Sequence, residues 1–253
     1  MKILLSIVCC CWLSANLCAS ALGPTADYFE PKLLTGSIYD KEGGRLLFTF
    51  RRTATKTGDT IRVLREFRNP DGSLASQERV VYERGRLVRF ELDELQIGAS
   101  GGAVAEPLPE NQRRINFQYT RGGRQDAKPK RKVETVAEEP LTGDSLAVFL
   151  ADHWEEINSG AVVRFRYLVV PRLETIGFKF TRESTGEFHG KKVVQVKMEP
   201  TSWVIAQILD PLTFTIESEP PHRVLQYRGR TTPKTQDGPS WRDLDALTVF
   251  NWE

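Results

Sequence analysis

Cysteine is missing from this chain after residue 18; its four cysteines are Cys9, Cys10, Cys11 and Cys18. Everything downstream must fold without disulfide staples and cannot use thiolate metal sites or thiol catalysis. Histidine is also scarce, with only His153, His189 and His222. No Gly-x-Ser-x-Gly elbow, dinucleotide fingerprint or calcium loop occurs. The segment Gly186–Lys192 resembles a phosphate-binding loop only weakly. Its glycine spacing is one residue short and no Ser or Thr follows the lysine, so a hairpin turn is the expectation. Asp152-His153-Trp154-Glu155-Glu156 lacks the second histidine of a helical zinc-hydrolase motif. No cofactor, metal site or catalytic constellation is expected.

The apolar run from Ile3 to Leu17 is too short to cross a bilayer comfortably, which takes about 20 apolar residues. With Lys2 before it and Ala19-Ser20-Ala21 after it, the run reads as a secretory signal peptide spanning residues 1–21. The expected product is one domain, residues 22–253, exported and periplasmic. Lipidation at Cys18 is the alternative, although Leu17 is larger than the small residue such a site prefers. A cysteine-free exported domain must rest on a sizeable core, which a chain of this length can build as one β domain.

Charge is plentiful but balanced, with 35 Lys and Arg against 33 Asp and Glu. The basic run Lys128-Pro129-Lys130-Arg131-Lys132 lies near Arg121-Gly122-Gly123-Arg124. Behind a signal peptide it reads as a solvated loop, or one facing anionic lipid or an envelope partner, and no nucleic-acid partner is expected.

What the chain has in abundance is strict alternation. Leu46, Phe48 and Phe50 share one face of a strand, and Ile61, Val63 and Phe67 share a face of the next. Val80 and Tyr82, then Val88, Phe90 and Leu92, complete a meander over 60–93. Ile115, Phe117 and Tyr119 mark another strand, and 121–141 reads as a charged linker or loop. The period then becomes helical over Asp144–Asn158, with Asp144 as the expected N-cap. Strands return at Val163–Val169, Ile176–Phe180, Val194–Met198, Leu212–Glu217, Val224–Tyr227 and Leu247–Trp252. A short segment at 203–209 is apolar on almost every side and must be covered by protein or ligand. The loop at 230–243 reads as polar.

The expected fold is mainly β: a curved antiparallel sheet or unclosed β-barrel of about ten strands, with two short helices in its concave face. Such helices would line a cavity, making Phe149, His153, Trp154, Trp203, Ile205 and Ile208 the candidate ligand-binding residues. His153 is otherwise a core or cavity histidine making one hydrogen bond.

The stretch Trp154…Gly160…Val163-Arg164-Phe165, with Phe178, Met198-Glu199-Pro200 and Tyr227-Arg228-Gly229-Arg230, resembles exported members of the periplasmic half-barrel superfamily, which includes the lipoprotein-localisation carriers. That resemblance implies an unclosed barrel whose concave face accepts acyl chains. The carriers begin with a helix packed into the barrel, whereas Leu33 to Tyr39 reads as extended here, so no functional residue is carried over. The functional expectation is an exported, non-enzymatic binding protein for a lipid-like or other hydrophobic ligand. An envelope structural or assembly factor is the alternative, and a hydrolase using His153 is a weaker third.

Overall fold

A computed structural model describes residues 27–122 and 128–252. The segment assigned above to a signal peptide, with all four cysteines, lies outside the described residues, as do Gly123 and Arg124. Fourteen antiparallel strands form one unclosed sheet. The first eight are β1 (Leu33–Tyr39), β2 (Leu46–Thr57), β3 (Thr60–Arg68), β4 (Leu74–Glu83), β5 (Arg86–Glu94), β6 (Ala99–Pro107), β7 (Arg113–Thr120) and β8 (Lys130–Val136). Two short helices follow, α1 (Leu146–Asp152) and α2 (Trp154–Asn158). The second strand set is β9 (Val163–Val169), β10 (Glu174–Phe188), β11 (Lys191–Pro200), β12 (Leu212–Glu217), β13 (Val224–Asp237) and β14 (Ser240–Asn251), with α3 (Trp203–Ala206) between β11 and β12.

The sheet order is β8-β7-β6-β5-β4-β3-β2-β1-β14-β13-β12-β11-β10-β9. Every neighbour is therefore sequential except β1 and β14, which join two meander arms back to back. The free edges of β8 and β9 approach each other without a continuous ladder. Between them, Glu134 accepts hydrogen bonds from Thr175 N at 2.8 Å, Thr175 Oγ1 at 2.9 Å and Arg166 Nη2 at 3.0 Å. A single parallel bridge, Leu141 with Tyr167, adds two backbone bonds.

The alternation holds for most positions: Ile61, Val63 and Phe67 are buried, as are Val80, Tyr82, Phe90, Leu92, Ile115, Phe117 and Tyr119. Leu46, by contrast, is exposed, and Val88 gives up its place to Leu87, where the β4–β5 register shifts. Three apolar clusters result, one inside each arm and one where the arms meet at Leu34, Ile38, Phe48, Phe50 and Phe67.

Four features carry the expected strands to the observed fourteen: the first two each add a strand, the third lengthens expected strands and the fourth places β1. First, β6 runs through Ala99-Ser100-Gly101-Gly102-Ala103, whose small side chains carry no apolar alternation. A Cβ on Gly101 would sit 2.9 Å from Val170, so glycine there admits the turn at Val170–Arg172 against the sheet. Second, β8 occupies part of the expected charged linker. Its exposed Lys130, Arg131 and Lys132 suit an edge strand, where charge deters pairing with other chains. Third, the expected polar loop at 230–243 is the paired end of β13 and β14, where ion pairs replace apolar pairs. Fourth, β1 is confirmed as extended and occupies the join of the arms.

The expected single helix over Asp144–Asn158 is two, broken at His153, whose backbone leaves helical geometry at φ −104° and ψ 20°. Asp144 is not its N-cap. Ser145 holds that position, without a side-chain cap bond, and its hydroxyl bonds within the Thr142–Ser145 turn. The Asp144 carboxylate points into the protein instead, where a buried cation needs a partner more than a short helix needs a cap.

Candidate functional site: a cavity with a charged floor

The cavity of about 470 Å³ lies between the two arms, within the range of small-ligand sites. One side is apolar. It is formed by Ile176, Phe178, Met198, Leu212 and Phe214 from the second arm, with Leu146, Ala147 and Val148 of α1. Ile205, Ile208 and Leu209, on and just after α3, complete that wall.

The other side carries charge, for a reason visible in strand register. Leu34, Arg52, Arg65, Glu78 and Leu92 stand directly opposite one another across β1 to β5. All five line the cavity. Two arginines facing each other on neighbouring strands repel, and each is neutralised by its own acid. Arg52 is clasped by Asp144, with Nε donating to Oδ1 at 2.6 Å and Nη2 to Oδ2 at 3.4 Å. The same arginine donates from Nη2 to Tyr28 O at 2.6 Å and from Nη1 to Pro31 O, holding the segment before β1. Tyr82 donates to Asp144 Oδ2 at 3.1 Å and stacks on Tyr28 with ring centroids 4.1 Å apart. Burial and the neighbouring Asp144 keep the Tyr82 phenol protonated, well above its ordinary range.

Arg65 is handled differently. Its Nη1 donates to Glu78 Oε2, and its guanidinium lies over Phe50 and Phe67, 5.3 and 5.5 Å from the ring centroids. Burial disfavours its charge, but Glu78 and Asp144 outweigh that penalty and hold it protonated. Glu78 takes its second bond from Thr232 Oγ1 at 2.6 Å. That contact crosses the cavity from β13, and a register shift between Thr231 and Lys234 allows it. Further along, Glu94 accepts from Tyr119 Oη at 2.6 Å and pairs with Lys234 Nζ at 3.2 Å. Lys234 also reaches Asp243 at 2.6 Å.

Among the candidate residues from the sequence, Ile205 and Ile208 line this cavity. Phe149, His153, Trp154 and Trp203 are placed elsewhere. Phe149 packs on Phe165, with centroids 5.4 Å apart, in the second-arm cluster. His153 has Nδ1 3.0 Å from Phe149 O and its ring 4.0 Å from the Phe149 ring. Trp154 is buried and stacks on His222. Trp203 projects into solvent with 73% of its surface exposed. The charged floor went unread, yet its signal is local. Arg52 is in phase with Phe48 and Phe50, Arg65 with Val63 and Phe67, and Glu78 with Val80 and Tyr82, so each charge sits on an apolar face.

Among the described residues no group of His, Cys, Asp and Glu is placed to hold a metal ion, and none of their helices is long and apolar enough to cross a membrane. Comparison with family models, curated proteins and solved structures finds no match.

Proposed function

We propose that this protein is an exported, non-enzymatic carrier of a lipid-like ligand in the cell envelope, working as half-barrel proteins do. The observation that carries the reading is the apolar cavity wall to which α1 and the α3 segment contribute. Leu146, Ala147, Val148, Ile205 and Leu209 pack on the cores of the arms and, with Ile208, also line open space. Burying an alkyl chain against such a wall is worth about 0.8 kcal/mol per methylene, so a long chain supplies affinity without any further contact. Export rests on Lys2, the run Ile3–Leu17 and Ala19-Ser20-Ala21.

The test is organic extraction of the protein purified from its host envelope, followed by mass spectrometry and titration with a fluorescent fatty acid. A co-purifying lipid or saturable probe binding is the expected result. Clean extracts together with no probe binding overturn the proposal. The other reading, an assembly factor meeting an envelope protein through the basic segment, draws on Lys130–Lys132, which lie exposed on β8. Their position on a free edge gives those charges a sufficient role of their own.

A further inference from the structure

We infer that the cavity selects a ligand with a carboxylate head, seated at Arg65 between Tyr167 and Tyr227. This rests on the proposed carrier reading and names the ligand's chemistry.

The inference comes from matching the polar groups of the wall. Five carboxylates line the cavity: Glu30, Glu78, Glu94, Asp144 and Asp243. Each already accepts a hydrogen bond: from Lys32 N to Glu30, from Arg65 and Thr232 to Glu78, and from Tyr119 to Glu94. Asp144 accepts from Arg52 and Tyr82, and Asp243 from Arg230 and Lys234. The donors are not matched in the same way. Arg65 is 8% exposed and lines the cavity, yet among the described residues its one hydrogen bond uses Nη1. Among the described residues its Nε and Nη2 have no acceptor, and the side chain lines the cavity. That pair of nitrogens is the edge of a guanidinium that grips a carboxylate with two parallel bonds.

Tyr167 and Tyr227 line the same space, and neither hydroxyl makes a hydrogen bond among the described residues. Burial, then Glu78, pushes the Tyr167 phenol above its usual range, so it remains an O–H donor. A Cβ placed on Gly143 would collide with Arg65 Nη1 and stand 3.3 Å from Tyr167 Oη, so guanidinium and phenol converge on that glycine. Glycine at 143 is what leaves them room.

A charged donor edge that opens on a cavity without a protein acceptor is where acceptors supplied by a ligand make new charge-assisted bonds. An amine head would add donors where donors are already in excess. An ester head supplies one carbonyl, whereas the free Nε–Nη2 edge of Arg65 presents two parallel donors that a carboxylate fills together.

The experiment titrates the full chain with palmitate, methyl palmitate and hexadecylamine, following displacement of a fluorescent fatty acid. Palmitate should bind at least about tenfold tighter than either competitor, one tenfold step corresponding to about 1.4 kcal/mol. The double variant Tyr167→Phe/Tyr227→Phe, and separately Arg65→Lys, should erase most of that preference by weakening palmitate far more than methyl palmitate. Arg65→Lys keeps a cation against Glu78, so it guards against a variant that fails to fold. Equal binding of all three ligands, or a preference that survives both variants, overturns the head-group inference and leaves the carrier reading standing. Binding of none of them overturns both.

Discussion

Individual charges inside this sheet are tolerated because each is answered within hydrogen-bond reach. The row at the end of β13 and β14 shows how such answers depend on pH. Burial raises the proton affinity of Asp243, but the hydrogen bond and charge of Lys234 and the charge of Arg230 outweigh it, so its carboxyl is held below the ordinary aspartate range. An acid with a lowered folded-state pKa stabilises the fold above its ordinary value, and that contribution disappears as pH falls through the lowered one. Asp243 is half exposed, so solvent limits its worth to about 0.5–1 kcal/mol. Asp243→Asn is therefore expected to be less stable than the parent by that amount at neutral pH. In thermal melts the two proteins should converge as the medium is acidified well below the ordinary carboxylate range. A difference that persists in acid would assign the effect to packing rather than charge. The same parity rule that placed Phe50 and Phe67 inside could have exposed Arg52, Arg65 and Glu78. Their purpose could not be read that way, because each partner comes from a different strand or loop.

Elements in this fold are held by what they face. The edge strand β8 has few buried side chains, and its link to the opposite edge passes largely through Glu134. Removing a partly buried, charged acceptor with three partners costs about 2 kcal/mol. Glu134→Ala should lower stability by that much and speed hydrogen exchange at the Thr175 amide, leaving exchange in β3 and β4 unchanged. Unaltered exchange at Thr175 would mean the seam is held by the Leu141 bridge instead. Strands such as β3, β5 and β7 were legible because apolar alternation is a local, period-two signal. Strands β6 and β8 were not: the first is rich in glycine and alanine, and the second opens on three cations and carries little apolar alternation. Each is a strand because its neighbours supply a ladder. The helix at 146–158 was legible as apolar spacing, but its break at His153 and the diversion of Asp144 to Arg52 were not.

Across the whole molecule, the two arms create a space that neither holds alone. The α3 segment borders it with Ile205 and Ile208, and Trp203, Val204 and Ile208 are exposed to solvent. Ile208 is 68% exposed, so a polar replacement there should leave stability within about 0.5 kcal/mol. Ile208→Asp is expected to weaken fatty-acid probe binding several-fold through its charge at the apolar wall, read by the same fluorescence titration. Unchanged affinity would place the ligand away from α3.

What the sequence determined by itself is the kind of fold: alternating side chains specify half-buried antiparallel strands, since parity depends only on neighbours along the chain. The scarcity of thiols and histidines also narrowed the chemistry. Only the tertiary structure decided that the arms join through β1 and β14, that Thr232 of β13 reaches Glu78, and that Arg65, Tyr167 and Tyr227 line one cavity. Those residues lie on strands far apart in sequence. Their convergence depends on how the sheet brings its two arms together, and the Thr232–Glu78 contact on a register shift in β13, properties that no local pattern encodes.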